Sequence, residues 1–460
     1  MEKRNKMETE KIPKLLVVMG LPVVISMVLQ AVYNIVDSAF VSNMATGGEE
    51  ALGALALAFP VQMLMVAIAI GTGVGVNALL AKSTGEGDSD KAARVAGNGF
   101  FLAAVIYVIF VLFGFFGIEP YLNSQSDNAE LVSLATEYLR PCCIFSFGIV
   151  AFSVLEKILQ ATGKTVCSTV AQITGAITNI VLDPIMIYGL CGFPELGVRG
   201  AAIATVIGQI ASAVVALVLH LTQNKTVRVK LRDLVPRGNI IKGIYAIGLP
   251  AIIAQALTSL MTYALNLILL AVGERAVTAY GLYYKIQQFL LFAAFGIRDV
   301  VTPVAAYAYG AGNPNRVKET NRWGVIYTVG VMAVCVAVLE IFAHPFARLF
   351  GLGGETEALT VIIIRVVSPS CIFAGLNVAL QGTMQALCRG GESLTVSVLR
   401  QIALILPPAI LLAKFAPAYV WWSFLFAEAV TAAVAVLLTA KSLKKLTSVA
   451  KLAGTLPENG

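Results

Sequence analysis

The chain has 460 residues, 58% of them apolar and 13% charged, and a formal net charge of +7, with a mean hydropathy of +0.83. Soluble domains carry roughly 25% charged residues, so this composition excludes an ordinary soluble globular protein. Apolar runs of the length a bilayer-crossing helix needs, about 20 residues, recur from end to end, and the expected fold class is an all-α, polytopic membrane protein.

The opening "MEKRNKMETEKIPK" is basic. The apolar stretch behind it is too long for a signal-peptide core and lacks a small-residue cleavage motif, so the opening reads as a cytoplasmic tail. Apolar runs between polar breaks then predict twelve transmembrane helices, at about 14–43, 51–81, 92–116, 130–161, 165–190, 197–222, 240–271, 276–309, 319–343, 357–388, 393–413 and 417–440. The longest break, "TQNKTVRVKLRDLVPRGN", falls between the sixth and the seventh. It divides the chain into an N-terminal lobe (1–222), a linker (223–239), a C-terminal lobe (240–445) and a tail (446–460).

Lys and Arg predict the orientation. With odd helices running outward, 23 of the 33 fall in the tails and inner loops, against four in the outer loops (Arg199, Arg275, Arg348, Lys414). Both termini are therefore expected in the cytoplasm, and the net charge needs no nucleic-acid partner. The lipid bilayer is the expected constant partner and a monomer the expected working form.

A tandem repeat underlies the twelve helices. "VMGLPVVISMVLQ" (18–30) matches "AIGLPAIIAQALT" (246–258), "GEGDSDKAARV" (85–95) resembles "GAGNPNRVKET" (310–320), and "QATGK" (160–164) pairs with "QALCR" (385–389). "VLDPI" (181–185) likewise pairs with "ILPPA" (405–409), at a shift of 224 to 228 residues throughout. Six helices per copy predict two pseudo-symmetric bundles inserted the same way round, an arrangement of carriers with the substrate site at the repeat interface. No ATP-driven engine is legible. "TGKT" at 162–165 has Ile158 where a phosphate-binding loop needs glycine, and "GTGVGV" at 71–76 lies in an apolar helix as a close-packing face. The seven cysteines show no metal spacing and read as packing residues, and the two histidines, His220 and His344, fall near helix ends in different halves, which argues against a metal site. No enzyme chemistry and no cofactor are expected.

Polar residues inside spans stand out against this background. Asp37 follows Lys14 by 23 residues and Asp183 follows Lys164 by 19, roughly 35 and 28 Å along their helices at ~1.5 Å per residue. An intramembrane carboxylate costs about 2.5–3.5 kcal/mol on insertion scales, and two at similar depth suggest one cavity. Asn179 lies one turn before Asp183, and Tyr33 and Asn34 one turn before Asp37. Pro184 leaves the Ile180 carbonyl without its helical donor. Like charge and desolvation both disfavour the double anion, so the pair could carry a proton, or with amide and hydroxyl oxygens hold Na+. The alternative is that each acid is satisfied structurally by a neighbouring helix. Met27, Gln30, Tyr33 and Asn34 offer adaptable contacts to a substrate, with core packing the other reading for Met27. In the second half, Arg298–Asp299 and Arg400 with Glu428 suggest compensating pairs, while Lys285, Arg365 and Asn377 either line a cleft or play structural roles. Glu156 and Lys157 are expected at a solvated or gating position near a helix end.

Taken together, the repeated "GLP" openings, "VYNIVDSAFVS", the "GEGD" and "GAGN" loops, "LQATGK", "NIVLDPI" and "GVRGAAIAT" resemble the multidrug and toxic compound extrusion (MATE) family of secondary transporters across essentially all twelve helices. The resemblance is closest to bacterial branches with coupling carboxylates in the N-terminal half, and so implies the inner membrane of a bacterium as the location. It implies a cation-coupling site at Asp37, Asn179 and Asp183, with Thr205 as hydroxyl partner, and H+ or Na+ as coupling ion, the Na+ held at Asp37, Asn179 and Asp183. It also puts Pro22 where the family has a first-helix proline proposed to bend; a fixed kink is the competing reading. Thr258 and Asn377 stand where sodium-coupled relatives keep acids in the second half. The implied activity is antiport by alternating access, exporting amphipathic, cationic organic drugs. The rival readings are a flippase for a lipid-linked or anionic glycan and, further off, a channel or receptor.

Overall fold

The computed structural model describes residues 6–42, 44, 48–349 and 354–452. Among the described residues the regular structure is entirely helical. In the first half, α1 is Ile12–Ser42, α2 Gly48–Gly85, α3 Ser89–Phe116, α5 Thr165–Ile187 and α6 Gly197–Gln223, and α4 comprises the segments Ala129–Ile144 and Phe147–Ala161. In the second, α7 is Gly238–Val272, α8 Glu274–Gly310, α9 Pro314–Ile341 and α12 Trp422–Leu452. There α10 comprises Gly354–Val367 and Ser370–Ala386, and α11 joins Gly390–Val398 to Leu406–Phe415 through a π-turn at Leu399–Ala403. Ten of these are long and apolar enough to cross a membrane singly, and two bent pairs complete up to twelve spans.

The spans expected as continuous at 130–161 and 357–388 are bent, by 47° in α4 and 46° in α10. Proline accounts for both: Pro141 precedes the first break and Pro369 lies in the second, and a ring without an N–H opens the helical ladder. Repeat register reaches individual residues. Gly87 (φ +74°) and Gly312 (φ +66°) turn the chain ahead of α3 and α9. Asp88 then accepts from the Lys91 N–H at 2.8 Å and Asn313 from the Arg316 N–H at 3.0 Å, so each side chain satisfies an orphan donor of the following helix.

Two compact units emerge. One is Ile25–Leu80 with Asp88–Gly248; the other is Met1–Val24, Ala81–Gly87 and Leu249–Gly460. The first turns of α1 thus pack with the second half, where Gly296 meets Val24, and those of α7 with the first, where Gly248 lies 2.8 Å from the Gly71 carbonyl for an added Cβ. The first unit is cored by Val41, Ala54, Tyr138, Leu139, Cys142 and Ile187, the second by Tyr280, Tyr283, Ile363, Ile364 and Trp421. Large apolar side chains such as Ile109, Leu112 and Phe116 on α3 and Val218 and Leu221 on α6 remain exposed. Apolar surface of that extent suits lipid rather than water. Cys191 departs from the packing expected of the cysteines: it is exposed, in a left-handed turn (φ +59°) between α5 and α6.

Candidate functional site

α1 and α5 run parallel and are joined at successive levels. Gln172 Nε2 donates to Gln30 Oε1 at 2.8 Å. Near the other end, Tyr188 OH donates to the Phe40 carbonyl at 2.6 Å and the two rings meet edge to face at 6.2 Å. Between these ties the carboxyls of Asp37 and Asp183 face one another in side-chain contact. The two acids expected at similar depth are therefore neighbours.

Glycine places the third helix. A Cβ on Gly175 of α5 would collide with Ser212 Oγ and the Gly208 carbonyl, and one on Gly208 of α6 would lie 2.8 Å from the Gly175 carbonyl and 3.1 Å from Asn179 Cβ. Small residues let two backbones approach in a membrane, and here the approach seats α6 against the acid pair. Asn179 Nδ2 consequently donates to Asp183 Oδ1 at 3.2 Å and to Thr205 Oγ1 at 3.4 Å. Asn179 and Asp183 are buried, Asp37 and Thr205 half-buried.

Three buried oxygens of this cluster, Asp37 Oδ1, Asp183 Oδ2 and Asn179 Oδ1, have no hydrogen-bond donor among the described residues. Buried acceptors are normally satisfied, so each of these oxygens is free to accept a cation or a proton from outside the described residues. An all-oxygen donor set fits a hard cation or a proton.

Of the expected contact residues, Met27, Gln30 and Tyr33 are half-buried on α1, with Gln30 and Tyr33 in side-chain hydrogen-bond contact. The side chain of Asn34 lies outside the described residues. Pro22 sits inside α1 two turns before Gln30. Two neighbours escaped the sequence reading: Tyr138 is within electrostatic reach of Asp37 and accepts from Gln62 Nε2 at 3.1 Å. The signal available was a glutamine two residues past Pro60 in an otherwise apolar run.

Of the solvated or gating position expected for Glu156 and Lys157, the solvated alternative fails, since both are buried and paired at 3.7 Å. Gln160 bridges them, accepting from Lys157 Nζ and donating to Glu156 Oε1, each at 3.0 Å. In the other unit, Arg400 Nη2 donates to Glu428 Oε1 at 2.7 Å, and fully buried Asn377 donates to Glu428 Oε2 at 2.8 Å. Arg298 pairs with Asp299 at 2.8 Å. Lys285 and Arg365 are exposed, and Thr258 Oγ1 accepts from Gln401 Nε2 at 3.0 Å.

Helices of this length and apolarity define a multi-pass α-helical membrane protein, with an oxygen-rich acid pair inside its spans. The chain matches the MatE family over residues 22–185 and 250–411. It is 25% identical over 441 residues, 96% of each chain, to the multidrug export protein MepA of Staphylococcus haemolyticus, and 26% identical over 421 residues, 91% of each, to MepA of Staphylococcus aureus strain MSSA476. An outward-facing multidrug resistance MATE family transporter of the MOP superfamily superposes with a TM-score of 0.91 at 26% identity, covering 97% of this chain and 99% of that one. A MOP superfamily transporter from Pyrococcus furiosus, solved in a study of reversed binding-pocket polarity, gives 0.90 at 25%, with the same coverage. The protein belongs to the MatE family.

Proposed function

We propose that the protein is a secondary antiporter that exports amphipathic, cationic organic compounds in exchange for H+ or Na+. The observation that carries the reading is the facing of Asp37 and Asp183 across α1 and α5, with three buried oxygens lacking donors. The naming of similar proteins as multidrug exporters supports the cargo.

In the proposed cycle, H+ or Na+ reaches the pair from outside and neutralises it. Neutral acids no longer attract a cationic drug, and the state that has released it gains. Return of drug and loss of the ion on the inner side reset the site. Exchange requires only that drug and ion differ in affinity for the two charge states. Met27, Gln30 and Tyr33 would line the path of the drug, Pro22 would take up the bend in α1, and the chain would sit in the bacterial cell membrane as a monomer with both termini cytoplasmic. An anionic cargo would need Lys285, Arg365 and Arg400 to face inward together, and the last of them is neutralised by Glu428.

The test is efflux of a fluorescent organic cation from proteoliposomes under separately imposed pH and Na+ gradients. Wild type should respond to one of the two gradients, and Asp37→Asn and Asp183→Asn should reduce gradient-driven efflux to background. Wild-type efflux from both variants would sink the assignment.

A further inference from the structure

At the start of α3 lies a cavity of about 620 Å3, lined chiefly by Asp88, Lys91, Arg94, Arg237, Gly238 and Asn239. Its volume is in the range of ligand sites, ~300–1,000 Å3, and all its residues belong to one compact unit. The site is built on buried Asn98. The Asn98 Nδ2 donates to the carbonyls of Asp233 (3.4 Å) and Val235 (3.3 Å), and its Oδ1 accepts from the Arg237 N–H (2.8 Å). Gly97, where a Cβ would strike the Asp233 carbonyl, admits the linker against α3.

The charge of the lining is one-sided. Asp88 is the one carboxylate among the lining residues, and its Oδ1 caps α3. Among the described residues neither Arg94 nor Arg237 pairs with a carboxylate; the linker's Arg232 takes Asp90 at 3.5 Å. The amino ends of α3 and α7 open here as well, which adds to the pull on an anion.

The repeat supplies an internal comparison. A shift of 225 residues carries Asp88, Lys91 and Arg94 onto Asn313, Arg316 and Glu319. There Arg316 is satisfied by the chain itself, its Nε donating to the Met7 carbonyl at 2.8 Å and its Nη2 to the Glu10 carbonyl at 2.7 Å. Glu319 shows that this corner folds without a cation at the third position. The excess of cations in the first-half corner is therefore not required by helix packing, and Arg316 shows such a corner gathering oxygen acceptors.

We propose that the first-half cavity binds the phosphate headgroup of an anionic phospholipid. It opens at the ends of two membrane-crossing helices, on the side assigned above to the cytoplasm, where the leaflet carries anionic lipid and basic clusters are drawn to it.

The purified full-length protein in detergent is titrated with short-chain phosphatidylglycerol, phosphatidylcholine and inorganic phosphate. Thermal midpoint and native mass spectrometry report binding. Phosphatidylglycerol alone should raise the midpoint and remain bound. Arg94→Gln combined with Arg237→Gln should bind it about thirtyfold more weakly, as expected for two lost cations near a membrane surface. Arg94→Glu, which installs the second half's residue type, should lose the shift while keeping the fold, and Arg232→Gln should retain it. Equal phosphatidylglycerol binding by wild type and the Arg94 variants overturns the proposal. An equal midpoint shift from inorganic phosphate also overturns it, in favour of a soluble anion.

Discussion

Asn179 gives the acid pair its shape. One amide nitrogen serves both Asp183 and Thr205, so α5 and α6 share a single donor. Asn179→Ala removes the amide that donates to Asp183 Oδ1 while leaving both acids in place. A buried charged acceptor stripped of its donor costs about 1–3 kcal/mol, so efflux under a fixed gradient should fall about tenfold, with expression in the membrane unchanged. Unaltered transport by Asn179→Ala would mean that the amide is a bystander. Asp37 and Asp183 were legible in the sequence because an acid in an apolar run is conspicuous, whatever its partner. Gln62 and Tyr138 were not, since a lone glutamine or tyrosine in a membrane helix has many satisfactory packings. Only the fold brings Tyr138 within electrostatic reach of Asp37 and Gln62 onto Tyr138.

At the level of helices, the site depends on how closely α5 and α6 approach. Gly175→Val would drive its side chain into Ser212 and the Gly208 backbone. Overpacking of this kind costs about 1–3 kcal/mol, and it would move Asn179 away from Thr205. The variant should melt at lower temperature in detergent and lose efflux, whereas Gly330→Ala, with open space around the new Cβ, should do neither. α11 and α12 offer a second test. Arg400 and Glu428 are buried, and Asn377 completes the group. Removing one charge of such a pair costs about 3–5 kcal/mol, while replacing both with apolar residues is often nearly neutral. Arg400→Met should therefore destabilise strongly, and Arg400→Met with Glu428→Met should recover most of the thermal midpoint. A double variant as unstable as the single would assign the pair a role beyond mutual neutralisation. The sequence suggested this pairing from two opposite charges in adjacent spans. It gave no sign of the π-turn that carries Arg400, nor of the bend in α10, because a proline inside a membrane helix can be accommodated without breaking the span. The buried Glu156–Lys157–Gln160 group was missed for a related reason: charges near a helix end look solvated until another helix is seen to cover them.

For the whole molecule, the number of spans, the repeat and the family were readable from periodicity and motif order, since twelve apolar runs and a constant shift do not depend on tertiary detail. Unit membership was not: the opening turns of α1 pack with the opposite half, and nothing in an apolar stretch says which neighbour it will meet. The proposed orientation has a native reporter in Cys191, which is exposed while Cys142, Cys143 and Cys371 are buried. A membrane-impermeant maleimide added to intact cells should label the wild-type protein and not Cys191→Ser. Labelling confined to inverted vesicles would reverse the orientation.

A last consequence follows from the glycines closing α2 and α8. A Cβ on Gly85 would strike the Tyr307 carbonyl, and one on Gly310 would strike the Lys82 carbonyl. The repeat shift turns each of these contacts into the other. Reciprocity of this kind is the mark of an isologous interface, in which identical subunits present one patch to each other. Here a single polypeptide carries both copies of such a self-complementary contact, inside one compact unit. Enlarging either glycine therefore obstructs the same crossing from opposite directions, and neither side can drift in sequence without its mirror residue registering the change.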